Sequence, residues 1–212
     1  MTASIKPLFS IWVEPRKTIR EIVDEDPTRG VIGLAMVGGG VQRLEFAWFR
    51  ALSHPGSVGA LFPISVVIQV VFGAFIGVIG IYVGAWLIRV FCRLLGGVGS
   101  LAEMRAALAW SSIPGIAAAA MSIVLLLLGA VSPPEFRHSR IPVMTGSTVE
   151  LGLLNFAMAL WGFVVQMKCI GEVNRFSAWR AFGAVLMLVA TIAGLILVIA
   201  YLAGGMPHHG MR

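Results

Sequence analysis

Apolar residues run in long uninterrupted stretches, and the charged residues gather between them. Leu61 to Ile88, Ala106 to Val131 and Ala181 to Met206 each pass without a single charge. About 20 apolar residues cross a bilayer core as a helix, and each of these stretches is longer than that. A fourth, Gly146 to Met167, carries only Glu150 near its start. The stretch that comes first is much shorter: its uncharged part ends at Gln42 after opening at Gly30, and it includes Gly38-Gly39-Gly40. Crossing over about Gly30 to Leu52 means carrying Arg43 and Glu45 through the membrane, and the alternative is a re-entrant or interfacial segment. The pattern predicts an all-α membrane protein, a bundle of five transmembrane helices over about 30–52, 61–88, 106–131, 146–167 and 181–202.

Residues 1–29 read as a cytoplasmic amphipathic arm ahead of a membrane domain over 30–204. Ile5, Leu8, Phe9, Ile11 and Trp12 supply an apolar patch, and Pro15 suits the first position of a helix. Ile19, Ile22 and Val23 then share one face, with Lys17–Glu21 and Arg20–Asp24 as opposite-charge pairs on the other. Such a helix is expected to lie along the membrane interface. Ser132 to Thr145, with Pro133, Pro134 and Pro142, reads as an external loop. Residues 205–212 read as a short external tail. No short apolar segment followed by a small-residue cleavage site stands near the start, so insertion is expected to use the first span itself.

Composition agrees. Of 212 residues 58% are apolar and 12% charged, with a mean hydropathy of +0.91. A soluble domain carries about 25% charged residues. The net charge of +6 would suggest nucleic acid in a soluble chain, but here the basic residues flank the apolar runs and act as topology signals. Eleven of the sixteen fall on the side of the arm and of the second and fourth connections, and four on the other. That imbalance places the N-terminus inside and the C-terminus outside. Removing the first span would split the basic set. Cys92 and Cys169 have no cysteine or histidine at ligand spacing and read as small apolar packing residues.

Polar residues within the spans are the place to look for chemistry, because lipid penalises them. At a rise of about 1.5 Å per residue, Arg43, Glu45, Gln69 and Asn155 fall at a similar level in the outer half, with Glu150 as a second partner for Arg43. They form either a polar pocket between the first, second and fourth spans or a hydrogen-bonded cluster that fixes helix rotation. Gly73, Gly77, Gly80 and Gly84 recur at spacings of 4, 3 and 4 and give one helix face for close packing. The Ala117–Ala120 stretch of the third span is the expected partner. Pro114 should kink that span. At the cytoplasmic face Arg89, Arg93, Arg105, Lys168, Arg175 and Arg180 surround Glu103 and Glu172, as orientation signals or as contacts for anionic headgroups. No catalytic, cofactor or metal site is expected. The four histidines lie in external loops or the tail, and the only aspartates are Asp24 and Asp26. Phosphate-loop, zinc-protease and serine-hydrolase motifs are absent.

Two connections share a layout. Leu95-Gly-Gly-Val-Gly-Ser-Leu-Ala-Glu-Met-Arg-Ala runs on to Trp110-Ser-Ser-Ile-Pro114, and Met167-Lys-Cys-Ile-Gly-Glu-Val-Asn-Arg-Phe-Ser-Ala-Trp-Arg-Ala-Phe182 repeats the scheme. Each has a Gly near one helix end, a polar bridge, and an Arg-Ala pair opening the next helix. With Trp12-x-x-Pro15 and the five spans, this resembles the Ypt-interacting-protein (Yip) domain family in its bacterial branch, over nearly the whole chain. The resemblance implies a five-span protein of a bacterial inner (plasma) membrane with its N-terminus inside. Members in eukaryotes act in vesicle traffic with Rab-type GTPases. The long hydrophilic extension of many of those members is missing here, so GTPase binding is not carried over. The expected function is a non-enzymatic membrane scaffold that organises lipid or partner proteins. The alternative is a small transporter, channel or lipid-moving protein using the outer polar cluster. Expected partners are the bilayer, anionic headgroups, and either a second copy or other membrane proteins.

Overall fold

The structure, a computed structural model, describes residues 6–53, 62–128 and 146–204, and among them are eight helices and no strand. The arm is α1 (Lys6–Val13) and α2 (Pro15–Glu25). The bundle follows as α3 (Val31–Ser53), α4 (Phe62–Leu94), α5 (Leu101–Ser111), α6 (Ile113–Leu127), α7 (Gly146–Val173) and α8 (Ala178–Gly204). Four stretches are long and apolar enough to cross a membrane: Phe62–Leu94, Leu101–Leu127, Val149–Val173 and Ala178–Leu202. The second of these takes α5 and α6 together. α3 has 23 residues, about 35 Å at the usual rise, but Arg43, Glu45, Arg50 and four glycines dilute its apolarity.

The helices outrun the uncharged stretches that predict them. α4 continues past Ile88 to Leu94, α7 continues past Met167 to Val173, and α5 opens at Leu101, ahead of Ala106. A charge ends an apolar run but not a helix, so Arg89, Arg93 and Lys168 sit on helical turns beyond the uncharged core. The loop over 132–145 and the tail over 205–212 lie outside the described residues.

α3 and α4 run antiparallel along a seam of small residues. A Cβ on Gly73 would stand 2.5 Å from the Gly39 carbonyl oxygen, and one on Gly77 3.1 Å from Gly39 Cα. The carbonyl of Ala35 also lies too close to Gly77 for any side chain there. Ala35 and Gly39 therefore face Gly77 and Gly73, one turn apart on each helix, which is the small-x-x-x-small contact that lets two backbones touch in lipid. The expected partner, Ala117–Ala120, is not the one used. Ala117 and Ala120 are exposed on α6. A stripe of small residues shows that a helix can be approached closely, but several helices here carry one. Gly80 has open space around it, and Gly84 meets only Leu108, at 3.8 Å.

The apolar stretch made by α5 and α6 breaks at Ser112. Pro114 is the second residue of α6 and has no N–H to offer the Trp110 carbonyl. The serines beside it bond back to the preceding turn: Ser112 Oγ donates to Ala109 O at 2.6 Å and Ser111 Oγ to Leu108 O at 3.1 Å. The break is thus stabilised by side chains of its own sequence.

The protein core is concentrated at one end. Ile11, Ile19 and Ile22 of the arm pack with Met104 and Trp110 of α5, Ile170 of α7 and Ala181 of α8. Elsewhere large apolar side chains face outward, among them Phe72 and Phe75 on α4 and every residue from Leu195 to Ile199 on α8. Patches of that size are a liability in water and the normal surface of a helix in lipid.

Candidate functional site

The loops after α4 and α7 meet at the arm end, and both fold the same way. After α4, Gly97 N–H donates to Cys92 O at 2.8 Å and Gly96 N–H to Arg93 O at 3.0 Å, with Gly96 left-handed at φ 83°. After α7, Phe176 N–H donates to Gly171 O at 2.9 Å and Arg175 N–H to Glu172 O at 3.1 Å, with Arg175 left-handed at φ 56°. Both are Schellman caps, which satisfy the last carbonyls of a helix and reverse the chain. Ser100 then opens α5 with a reciprocal capping box. Its hydroxyl accepts from Glu103 N–H at 3.2 Å, and Glu103 accepts from Ser100 N–H at 2.5 Å. The related layouts of the two connections are therefore one structural device used twice.

Asn174 locks the two loops together. It is 1% exposed. Its Oδ1 accepts from Gly99 N–H at 3.3 Å, and its Nδ2 donates to Ile170 O at 2.8 Å with Met104 Sδ 3.1 Å away. Only glycine fits opposite: a Cβ on Gly97 or Gly99 would lie 2.6 or 2.9 Å from Oδ1. Sequence reasoning missed this residue. The available signal was one amide side chain in a bend facing the glycines of Gly97-Val98-Gly99.

The arm packs beside these loops, on α5 and α7. α2 turns Thr18, Ile19, Ile22 and Val23 inward against α5 and α7. The apolar face expected to lie on lipid is thus covered by protein, because amphipathicity marks a face to be buried without saying what buries it. Its charges are also redirected. Arg20 reaches across to Glu172, with Nη2 2.8 Å and Nε 3.2 Å from Oε1 and Nη2 2.9 Å from the Glu172 carbonyl. Arg16 adds a contact to Oε2 at 3.4 Å. Lys17 pairs with Glu14 at 3.5 Å, so the expected Lys17–Glu21 and Arg20–Asp24 pairs give way to these. Trp110 Nε1 donates to Arg29 O at 3.1 Å and ties the start of α3 to α5. Between α2 and α3, Asp26 accepts from the Thr28 hydroxyl at 2.7 Å and from its backbone N–H at 2.8 Å. These bonds hold the Asp26 carboxyl below the usual carboxylate range.

Of the six cations expected at this face, three are engaged or half-covered. Arg89 Nε donates to Gly99 O at 3.0 Å, and Arg105 stacks 4.1 Å over the Tyr82 ring with no partner for Nε among the described residues. Lys168 lines a groove between α7 and α8. Arg93, Arg175 and Arg180 are exposed.

The intramembrane polar residues fall on two seams. Arg43 lies against Gly73 between α3 and α4, and Gln69 is one turn earlier on α4, in a hollow shared with Ala47, Arg50 and Ser65. Asn155 belongs to the contact of α6 with α7, where its Nδ2 donates to Ser122 Oγ at 2.9 Å and to Leu151 O at 3.1 Å. Glu45 is half-buried on α3 and Glu150 exposed at the start of α7. No hydrogen bond or ion pair among the described residues joins these five to one another. No group of three or more potential metal ligands occurs among the described residues either.

A sheath of outward apolar helices and a knot of interlocked loops under an arm describe a membrane-embedded bundle. Residues 9–201 match the Yip1 domain family. The chain belongs to that family. No curated protein and no solved structure matches it. The Yip1 domain match takes in α2 as well as α3 to α8, so the arm is part of what the family shares. The Yip1 domain and the apolar helices make this chain a multi-pass integral membrane protein.

Proposed function

We propose that this Yip1-domain protein is a non-enzymatic scaffold of a bacterial inner membrane, crossing five times, with its N-terminus in the cytoplasm and its C-terminus outside. The carrying observation is that α2 docks on α5 and the end of α7, with Arg20 on Glu172, beside the loops after α4 and α7 that Asn174 joins through Gly99. If these segments share one membrane face, α3 has to traverse the bundle. Its antiparallel run along α4, from Ala35 at Gly77 to Ala47 beside Ser65, fits that path. The eleven basic residues of the arm and of the two loops then share the cytoplasmic side. A rigid, cationic face of this kind suits the holding of anionic lipid, a second copy or another membrane protein. The family is one of non-enzymatic membrane proteins, which supports the assignment.

The alternative reading, a permeation or lipid-moving pathway, draws on Arg43 at the α3–α4 seam. Ser122 and Asn155 argue against it, because each already completes the other's hydrogen bonds across α6 and α7. Proteoliposomes decide. A scaffold gives ion flux and lipid flip no faster than empty vesicles. Activity that disappears in the Arg43→Leu, Glu45→Leu double variant would replace the scaffold with a pathway.

A further inference from the structure

The geometry points to a binding site for one anionic phospholipid in the groove between α7 and α8, its phosphate on Lys168 and an acyl chain along the aromatic wall. The groove holds about 240 Å³. Phe163, Val164, Met167, Trp179 and Phe182 form its sides, and Lys168 lines it through the apolar stem of its side chain, which carries the charge at its tip. Phe182 meets both Phe163 and Trp179 edge-on, with centroids 6.0 and 6.2 Å apart. Trp179 is 81% exposed although it belongs to this wall, so a large aromatic face there has no protein cover.

Charge identifies the occupant. Lys168 makes no ion pair among the described residues. The carboxylate one turn further along α7, Glu172, is occupied by Arg20 and Arg16. The docked arm therefore withholds from Lys168 the partner that helix spacing would give it. α8 opens at Ala178 beside the groove, and although Ser177 Oγ caps the Arg180 N–H, the positive end of the helix dipole there favours an anion. A cation, a helix start and an apolar trough in one place fit a molecule with a phosphate at one end and a hydrocarbon chain at the other. Trp179 stands at the start of α8, and tryptophan favours the headgroup level of a membrane. A zwitterionic lipid offers the same chain with less net attraction, so the site should select for net negative charge.

This inference rests on the reading of the chain as a membrane protein that organises lipid, and its test is separate from the flux assay. Detergent-purified protein is titrated with phosphatidylglycerol and, in parallel, with phosphatidylcholine, and bound lipid is counted by native mass spectrometry. The expected result is one retained phosphatidylglycerol per chain, in preference to phosphatidylcholine. Lys168→Gln should weaken it about fivefold, as for one cation at a membrane surface, and should leave Tm unchanged because no ion pair is lost. Val164→Trp, which fills the trough but keeps the charge, should abolish retention of both lipids. Arg50→Gln, at an exposed cation on α3 outside the cationic face, should leave binding at the wild-type level. Equal retention of the two lipids would overturn the site, as would an Arg50→Gln loss matching that of Lys168→Gln. A lipid-free dimer that Trp179→Ala dissociates would assign the groove to a second copy instead. Each of these results is readable whether or not the protein proves to conduct.

Discussion

Replacing Glu172 by Gln tests whether the arm is held by charge or by apolar contact. The change keeps the shape and removes the charge that receives two bonds from Arg20 and one from Arg16. The Arg20 bond to the Glu172 carbonyl survives. A hydrogen bond to a charged group contributes about 1.5–3 kcal/mol when buried, and an exposed pair about 0–1 kcal/mol. The side chains of Arg20 and Glu172 are 31% and 23% exposed, so the loss should fall between, at about 1–2 kcal/mol. Ile19 and Ile22 remain buried and hold the arm with about 1.5–3 kcal/mol each. The arm should therefore loosen without leaving. Hydrogen exchange through transient undocking then accelerates about 5- to 30-fold over residues 15–25, with α4 and α8 unchanged. Added salt should narrow the difference from wild type. Ile19→Glu should expose the whole arm. Exchange over 15–25 that is unaltered in Glu172→Gln, or accelerated equally throughout the bundle, would refute the clamp.

Two further predictions concern the α3–α4 seam and the turn before it. Gly73→Leu should force α3 from α4 and sharply reduce the yield of monodisperse protein in detergent, whereas Gly80→Ala, in open space, should leave it unchanged. The Asp26 carboxyl is lowered in the folded protein, so its support of the turn is complete above the ordinary carboxylate range and is lost as pH falls through the lowered value. The Thr28 amide, followed by nuclear magnetic resonance in micelles, should report that loss on acidification, and Asp26→Asn should flatten the profile.

Much of this architecture was legible in the sequence because lipid imposes simple rules. Three uncharged runs and one that carries only Glu150 mark four membrane-length helices, and Pro114 stands beside the break between α5 and α6. Gly73 and Gly77 announce a close contact, but spacing alone cannot say that Ala35 and Gly39 supply the other side. The arm was readable as amphipathic, while its docking on α5 and α7 depends on contacts far along the chain, such as Arg20 with Glu172 at a separation of 152. Glu172 stood out as a carboxylate among loop arginines, yet its partners come from α2. Asn174 was hidden because a single amide in a polar bend looks like solvated loop until the glycines opposite it are known. Arg43 and Asn155 share a depth by helix rise, but depth does not determine which neighbour a helix turns toward.

The docked arm also sets an order of events during biosynthesis. Arg20 leaves the ribosome well before Glu172, at a sequence separation of 152, an interval of roughly 8–30 s at ordinary translation rates of about 5–20 residues per second. Throughout that time α2 has at most its α5 surface to close on, and its isoleucines are available to chaperones, to the insertion machinery or to lipid. A helix made well before its partner is fastened only when that partner arrives, so arm closure is a natural signal that the chain through α7 is in place.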